Sequence, residues 1–492
     1  MHRNRETCQH TDAVASAPEQ SGRVNWWNVA AVVLAILPSW HLLAFYPPTW
    51  NHIDSLVVLE APLNQIPHHP PLYVALVHAM ELAFGGISDM TVYGIVMAQH
   101  AAWILSVVYL AFAFRQGPTR VLVPTVMLAA TPLHLLVHGI YFEALFLPAM
   151  VLLFGAFVRL VLHGRWRNVF LYHLFLLMVV YTRHAGVALC ALLPMYCLAR
   201  FAWDRFRRPR KHLMATGVCI AGAMCVLVVA SAGLRAASHK LDKEYSFIIG
   251  RVGAYRLHFF PWDGIPDKDA AALLSQVRSR ARDPLLARTV DILVDPEVGD
   301  LWMGPHQAIR DMLARNGGAG SPDDYMNAAY FLFMTTPNLY ILDDVLDDFS
   351  DYFRRDPTET IARGSLHSML FYENDAKNRE ILAGTGFVGM SGLYGEAYDR
   401  APLTAGFRPA PGMMLAAWLA MAFWALAPGR PAASRLSLAS GAVAGTGVVY
   451  AASMAALTIV LPRYVAPLHL LVPVAFLTGA GAFFEGVSQR ET

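Results

Sequence analysis

A carboxylate and a pair of histidines follow the first long apolar segment of the chain, where they could act on a substrate. Asp54 comes soon after that segment, and His68-His69 follows fourteen residues later, directly before Pro70-Pro71. Ionisable groups at the edge of a bilayer are costly, so this placement suggests chemistry at a membrane surface. We predict that Asp54 is a general base, because burial raises the pKa of a carboxylate toward the working pH. The alternative is a carboxylate that only hydrates a loop.

The two adjacent histidines point in different directions, so one cation is not expected to bind both side chains. We assign His68 to a divalent cation and His69 to the phosphate of a substrate, with two interfacial polar residues as the alternative. His258, between Leu257 and Phe259, is the second candidate metal ligand, and a packed histidine is its alternative. A divalent cation is therefore the candidate cofactor.

Three further charged residues lie at the ends of apolar segments. Glu143 is the second candidate catalytic carboxylate, and it could bind a metal, orient an acceptor or hold an arginine. Arg183 and Arg463 could each snorkel to a lipid headgroup. As a pair beside carboxylates, we expect them to hold a phosphate, because the planar guanidinium fork matches phosphate oxygens.

Composition places these residues in a polytopic membrane protein. The 492 residues are 56% hydrophobic and 15% charged, with a mean hydropathy of +0.40, which is too apolar for a soluble globule. A net charge of +2 does not favour nucleic acid as a partner. Four of the five cysteines fall in apolar segments and Cys8 lies in the N-terminal tail, so a disulfide framework has no support.

Crossing the hydrocarbon core takes about 20 apolar residues, and the segments that meet this requirement predict an all-α bundle of about ten transmembrane helices. The predicted spans are 26–46, 90–114, 121–138, 141–162, 169–182, 185–201, 213–234, 411–427, 436–460 and 464–484. Residues 1–25 are predicted as a cytoplasmic tail, 26–234 as an N-terminal transmembrane module and 409–492 as a C-terminal one. The first outer loop covers 47–89. Within it, 72–84 is apolar but short, so we predict an interfacial helix there.

The placement of basic residues predicts the orientation in the membrane. With the N-terminus in the cytoplasm, the cytoplasmic loops carry most arginines of the membrane modules, as the positive-inside rule requires. They are Arg115, Arg120, Arg165, Arg167, Arg205, Arg207, Arg208, Arg210, Arg430 and Arg435. The same orientation puts Asp54, Glu143, Arg183 and Arg463 on the outer face.

Residues 235–408 form one polar block that is too long for an ordinary loop, so we predict a folded extracytoplasmic domain between spans seven and eight. Apolar residues around 273–277, 309–313 and 330–334 recur at helical spacing, so the domain is expected to be mainly helical. An acidic run, Asp343-Asp344, Asp347-Asp348 and Asp351, lacks the glycine and glutamate of a calcium loop. We interpret it as a solvated helix face.

The chain resembles the GT-C superfamily of membrane glycosyltransferases, in particular the group of protein O-mannosyltransferases and aminoarabinose transferases. Four places carry the resemblance, in the same order along the chain. They are Asp54 in the first outer loop, His69-Pro70-Pro71-Leu72, the turn Thr182-Arg183-His184-Ala185-Gly186, and Arg463-Tyr464-Val465-Ala466-Pro467. Two details differ from the family pattern: Asp54-Ser55 stands where many relatives have an acidic pair, and His68-His69 stands where aminoarabinose transferases have Glu-Lys.

The resemblance implies a GT-C-like fold and a multi-pass enzyme of the cytoplasmic (inner) membrane, with its active site on the extracytoplasmic face. Its donor would be a sugar linked to polyprenyl phosphate, and Asp54 would be the base. The acceptor is a lipid, a glycan or a protein, and membrane lipids are further partners. The alternatives are an enzyme like O-antigen ligase or polymerase, and a transporter that uses intramembrane histidines. The candidates for that second role are His100, His134, His138 and His173.

Overall fold

The computed structural model describes most of the chain. The described residues are 25–50, 55, 58–59, 71–128, 131–204, 218, 220–222, 224–226, 228–229, 232, 256–258, 260–298, 304–318, 320–354, 374, 376–387, 431–457 and 462–491. Asp54, His68 and His69 lie outside them, as does the predicted span at 411–427 and most of the one at 213–234.

Helices form almost all of the regular structure in these ranges. They are α1 (Trp26–Phe45), α2 (Pro71–Phe84), α3 (Asp89–Ala111), α4 (Gly117–Leu128), α5 (Thr131–Val137), α6 (Glu143–His163), α7 (Trp166–Thr182), α8 (Leu192–Asp204), α9 (Asp267–Arg280), α10 (Pro284–Val294), α11 (Gly304–Asn316), α12 (Pro322–Met334), α13 (Leu339–Arg354), α14 (Ala376–Ile381), α15 (Pro431–Leu457) and α16 (Pro462–Glu491). A 3-10 helix, His184–Ala191, precedes α8. Among the described residues, β pairing is limited to an isolated bridge between Thr49 and Gly139.

Within the described ranges, five helices are long and apolar enough to cross a membrane. The candidate spans are Trp26–Phe45, Asp89–Ala111, Glu143–His163, Arg435–Ala456 and Pro467–Glu485. They coincide with predicted spans 26–46, 90–114, 141–162, 436–460 and 464–484. The total of about ten stays a prediction.

For three further predicted spans, the structure describes no single α-helix of 18 residues or more. The segment 121–138 is divided between α4 and α5, where Pro132 is the second residue of α5; proline disfavours a helical residue before it. The segment 169–182 is the 17-residue helix α7. The segment 185–201 begins as a 3-10 helix and becomes α-helical only at Leu192.

Helix α6 is long enough to cross the hydrocarbon core of a membrane. Its 21 residues cover about 31 Å at 1.5 Å per residue. Glu143 in its first turn complements the positive end of the helix dipole. At the other end, Gly164 adopts the left-handed conformation (φ 60°) and closes the helix through a bond to the Leu160 carbonyl. Arg115 contacts His163 there, with 3.3 Å between Nη2 and Nδ1, so Glu143 and this basic end lie on opposite sides of the bundle.

Two apolar clusters form the interior. The larger one lies between the membrane helices, where α6 packs against α3 and α7, and α15 packs against α16. Helix α1 keeps an exposed apolar stripe, whose members are Val33, Ile36, Leu37 and Trp40, the pattern of a lipid-facing helix.

The smaller cluster lies between helices α9 to α13 of the predicted extracytoplasmic domain. The predicted helical segments 273–277, 309–313 and 330–334 fall on α9, α11 and α12, and each contributes buried apolar residues to this cluster. The helix starts are capped: the Asp283 side chain accepts from the Leu285 amide, and Ser321 forms a capping box with Asp324.

The acidic run on α13 is only in part the solvated face that we predicted. Asp343 and Asp347 are exposed, as expected. Asp344 and Asp348, however, form ion pairs of 2.5 Å and 2.6 Å with Arg256, which is 1% exposed. Residues four apart share one face of a helix, so both carboxylates reach the same guanidinium.

Candidate active site

A buried ion pair lies at the end of the bundle opposite the basic residues. Nη1 of Arg183 is 2.5 Å from Oε1 of Glu143, and the side chains are 12% and 1% exposed respectively. Holding an arginine is one of the three roles that the sequence left open for Glu143. Such burial removes both charges from water, which a protein tolerates only when the charges are paired.

The ends of two helices create this pair. Helix α6 begins at Glu143, and α7 ends at Thr182, where Arg183 turns into extended backbone (φ −160°, ψ 137°). The turn closes through a 2.9 Å bond from the Gly186 amide to the Arg183 carbonyl. A Cβ on Gly186 would lie 2.7 Å from the Val179 carbonyl oxygen, so only glycine permits this close return of the chain.

The first outer loop docks directly beside Glu143. Its residue Thr49 pairs with the segment 138–140: the Thr49 amide donates to His138 O (3.1 Å) and the Ile140 amide donates to Thr49 O (3.0 Å). A Cβ on Gly139 would collide with the Thr49 hydroxyl and the Tyr141 ring. Glycine at 139 is therefore what allows the two segments to approach.

The described residues on either side of Asp54 bond to the same segment. The Tyr141 hydroxyl donates to the Trp50 carbonyl at 2.7 Å, and the Ser55 hydroxyl donates to the Ile140 carbonyl at 2.6 Å. Trp50 and Ser55 are both 0% exposed. Asp54 itself lies outside the described residues, but the loop that contains it is anchored two to three residues before Glu143.

Helix α2, which follows Pro70, also packs beside the start of α6. Tyr73, the third residue of α2, is 0% exposed and accepts a 2.8 Å bond from Gln99. Its ring centroid is 5.3 Å from that of Phe142, the residue before Glu143. Farther along α2, His78 Nδ1 is 2.6 Å from Glu81 Oε2. The sequence indicated an interfacial helix but not this pair.

A buried chain of hydrogen bonds anchors the start of the first outer loop from inside the bundle. His138 lies 3.0 Å from the Tyr46 carbonyl through Nε2 and 2.9 Å from His100 through Nδ1, and His100 lies 2.9 Å from the Ser39 hydroxyl. A carbonyl only accepts, so with neutral rings His138 donates to Tyr46, His100 donates to His138, and Ser39 donates to His100. From the sequence, these histidines were candidates for transport. In the structure, their contacts join α1 and α3 to the segment 138–140.

The predicted extracytoplasmic domain touches the same loop. Phe387 packs against Trp50 with ring centroids 5.5 Å apart, and the Gly386 amide donates to Asp89 at 2.7 Å. Phe387 is 2% exposed. Residues of 235–408 thus cover part of the segment that leads to Asp54.

The remaining predicted site residues are not joined to the ion pair by the contacts described above. Arg463 is the second residue of α16, and its side chain lies outside the described part of the structure, as do Asp54, His68 and His69. His258 belongs to the insert and places Nδ1 3.2 Å from the Leu293 carbonyl. In the ranges that the structure describes, no three His, Cys, Asp or Glu side chains are grouped so that they could hold a metal ion.

Comparisons with known proteins give little further guidance. No family model matches the chain, and no curated protein matches it. Among solved structures, the chain is similar to the crystal structure of ArnT from Cupriavidus metallidurans bound to undecaprenyl phosphate. The match has 14% sequence identity and a TM-score of 0.35, and it covers 94% of this chain and 78% of that one. Similarity at this level does not assign the chain to a family.

Proposed function

We propose that the protein is an integral-membrane glycosyltransferase that moves a sugar from a polyprenyl-phosphate donor to an acceptor outside the cytoplasmic membrane. The observation that carries the proposal is the buried Glu143–Arg183 pair at the end of apolar helices. The first outer loop and the start of α2 are packed beside this pair. Together with the turn at Arg183, these segments contain or adjoin three of the four places of the GT-C resemblance; the other two of these three are Asp54 and His69-Pro70-Pro71-Leu72.

In the proposed reaction, Asp54 takes the proton of an acceptor hydroxyl while that oxygen attacks the anomeric carbon of the sugar. The bond from this carbon to the phosphate oxygen breaks, and the polyprenyl phosphate leaves with one more negative charge than it had in the donor. A single displacement inverts the anomeric configuration. Because phosphate is already a good leaving group, the main demand on the protein is to stabilise this extra charge.

Arg183 is the residue we assign to that charge, together with Arg463 and His69. One guanidinium nitrogen of Arg183 faces Glu143, and a guanidinium has five N–H donors in a fixed plane. In the proposal, Glu143 orients Arg183 so that its planar fork binds the phosphate. This makes Glu143 a positioning residue in our proposal, in preference to a metal ligand.

A divalent cation is a separate question. His68 and His258 were the candidate ligands, but His258 lies in the insert with Nδ1 directed at the Leu293 carbonyl, and the described donors form no group of three. His68 lies outside the described residues, so a divalent cation stays a prediction, and no step of the proposed reaction uses one.

We propose further that the insert selects the acceptor. Phe387 covers Trp50, and Gly386 is bonded to Asp89 at the start of α3, so the insert closes one side of the first outer loop. An acceptor chain, whether lipid, glycan or protein, would approach between the insert and that loop. The lipid tail of the donor would lie between helices and leave only its headgroup exposed.

The direct test is transfer by the purified protein in nanodiscs, with a panel of polyprenyl-phosphate sugars and with polyprenyl-diphosphate glycans as a second class. Release of polyprenyl phosphate from a monophosphate sugar, in the presence of an acceptor, supports the proposal. Release only from diphosphate glycans indicates a ligase or polymerase instead. A parallel series with EDTA shows whether a divalent cation is required. An active wild type beside an inactive Arg183→Gln variant ties the activity to this site.

A further inference from the structure

Arg256 forms a buried junction between the insert and the end of a transmembrane helix. Its guanidinium is held by Asp344 (2.5 Å) and Asp348 (2.6 Å) on α13. The same group donates through Nη1 to the carbonyl of Ala455, and the side chain is 1% exposed. Three partners from two parts of the chain thus converge on one buried cation.

The carbonyl that Arg256 contacts belongs to the last turn of α15. The final four carbonyls of a helix have no partner within the helix, and the negative end of the helix dipole lies there. Arg256 contacts Ala455, and the Tyr330 hydroxyl donates to Ala456 at 2.8 Å. Burial raises the pKa of Tyr330 to about 12, so its hydroxyl stays protonated at neutral pH. Two residues of the insert therefore cap the carboxyl end of α15.

Helix α13 links the two apolar clusters at this junction. Ile341 belongs to the cluster of the insert, whereas Tyr352 is buried in the cluster of the membrane module. The helix also packs against α15 and α16. Asp344 and Asp348 lie between these contacts, so the charges are embedded in a packed surface.

The location of the junction along the chain gives it a consequence. Helix α15 ends at Leu457 and α16 begins at Pro462, so four residues separate the helix end that Arg256 caps from the helix whose second residue is Arg463. Four residues can span at most about 14 Å. The carboxyl end of α15 is thus close to Arg463 along the chain.

We propose that Arg256 is a positioning residue: with Asp344 and Asp348 it fixes the carboxyl end of α15 and, through the short connection to α16, places Arg463. The part that concerns Arg463 rests on the proposed function, in which that arginine binds the donor phosphate. Among the described residues, the insert would then be attached to the membrane module both at Phe387, beside the first outer loop, and at Arg256, beside the last two helices.

Hydrogen exchange measured by mass spectrometry tests the junction without reference to activity. We expect Arg256→Gln and the double variant Asp344→Asn/Asp348→Asn to speed amide exchange by about tenfold in peptides covering 452–466, the effect of losing one bond to a charged group. The control, Asp343→Asn/Asp347→Asn, removes the same charge from exposed positions of the same helix and should leave exchange unchanged. Unchanged exchange in the first two variants, or an equal increase in the control, overturns the proposal.

Transfer kinetics test the effect on Arg463. The junction variants should raise the KM for the polyprenyl-phosphate sugar by about tenfold, with the control variant at the wild-type value and Arg256→Lys in between. Faster exchange with a wild-type KM would overturn the positioning role, because the end of α15 would then move without affecting donor binding. If the wild type transfers no sugar, the proposed function fails, and the exchange measurement alone decides whether Arg256 fixes the carboxyl end of α15.

Discussion

Removing one partner of the Glu143–Arg183 pair is the perturbation whose cost the structure defines best. Two unit charges whose centres are about 4 Å apart attract by roughly 4 kcal/mol at an effective dielectric constant of about 20. Loss of one partner from a buried pair typically costs ~3–5 kcal/mol, because the other charge stays buried without compensation. Glu143 is 1% exposed and Arg183 is 12% exposed, so the two single variants should differ.

We expect Arg183→Gln to cost ~5 kcal/mol, since it leaves a carboxylate that cannot reach water, and Glu143→Gln to cost ~3 kcal/mol, since the guanidinium is partly accessible. The double variant should cost about as much as the milder single one, which gives a coupling energy of about 5 kcal/mol. The assay is the free energy of unfolding of all four proteins, from titration with dodecyl sulfate in mixed micelles.

Additivity would refute this reasoning. If the double variant equals the sum of the two singles to within ~0.5 kcal/mol, the side chains do not interact in the folded protein. The ion pair could then not orient Arg183 toward a phosphate, and the role proposed for Glu143 would be wrong.

Three further predictions concern this pair and its surroundings. Gly139→Ala should destabilise the protein by ~1–3 kcal/mol in thermal unfolding, because the new methyl group collides with the docked loop. The control, Gly441→Ala, lies in an open helical position and should be neutral or slightly stabilising. Equal effects of the two substitutions would contradict the docking. His138→Leu should lower the free energy of unfolding by ~2 kcal/mol, because two hydrogen bonds are lost. The control, His41→Leu at an exposed position, should change it by less than ~0.5 kcal/mol. A stability of His138→Leu equal to that of the wild type would contradict the anchoring role. Arg183→Lys should retain an ion pair but raise the donor KM by about tenfold, because an ammonium lacks the planar fork; an unchanged KM would exclude a phosphate contact at this position.

The sequence predicted the helical character of the chain because apolar period and length are local properties. The spans around α1, α3, α6, α15 and α16 lie within a few residues of the helices in the structure. The end of α4 at Leu128 and the start of α5 at Thr131 were missed because Thr131-Pro132 lies inside a continuous apolar run, and hydropathy alone does not register a proline. The 3-10 start of the segment before α8 was missed for a similar reason, since residues 184–191 are as apolar as an α-helical span.

The site was harder to predict because it depends on contacts between distant segments. Charge and position identified Glu143 and Arg183, but their pairing could be offered only as one of three alternatives. Apart from the glycine itself, nothing in the local sequence indicated that Thr49 docks on Gly139. Asp344 and Asp348 were assigned to solvent because helical spacing shows that two carboxylates share a face but not that Arg256, 88 and 92 residues earlier, lies opposite them.

The central claim is that the site around the Glu143–Arg183 pair transfers a sugar from a polyprenyl phosphate with Asp54 as the base. The most direct measurement compares wild type with Asp54→Asn in a single-turnover assay that follows polyprenyl-phosphate release and donor binding in the same nanodiscs. We predict that the variant binds the donor with wild-type affinity and that release slows by at least about a hundredfold, the contribution of a general base. Release by Asp54→Asn at the wild-type rate would contradict the account.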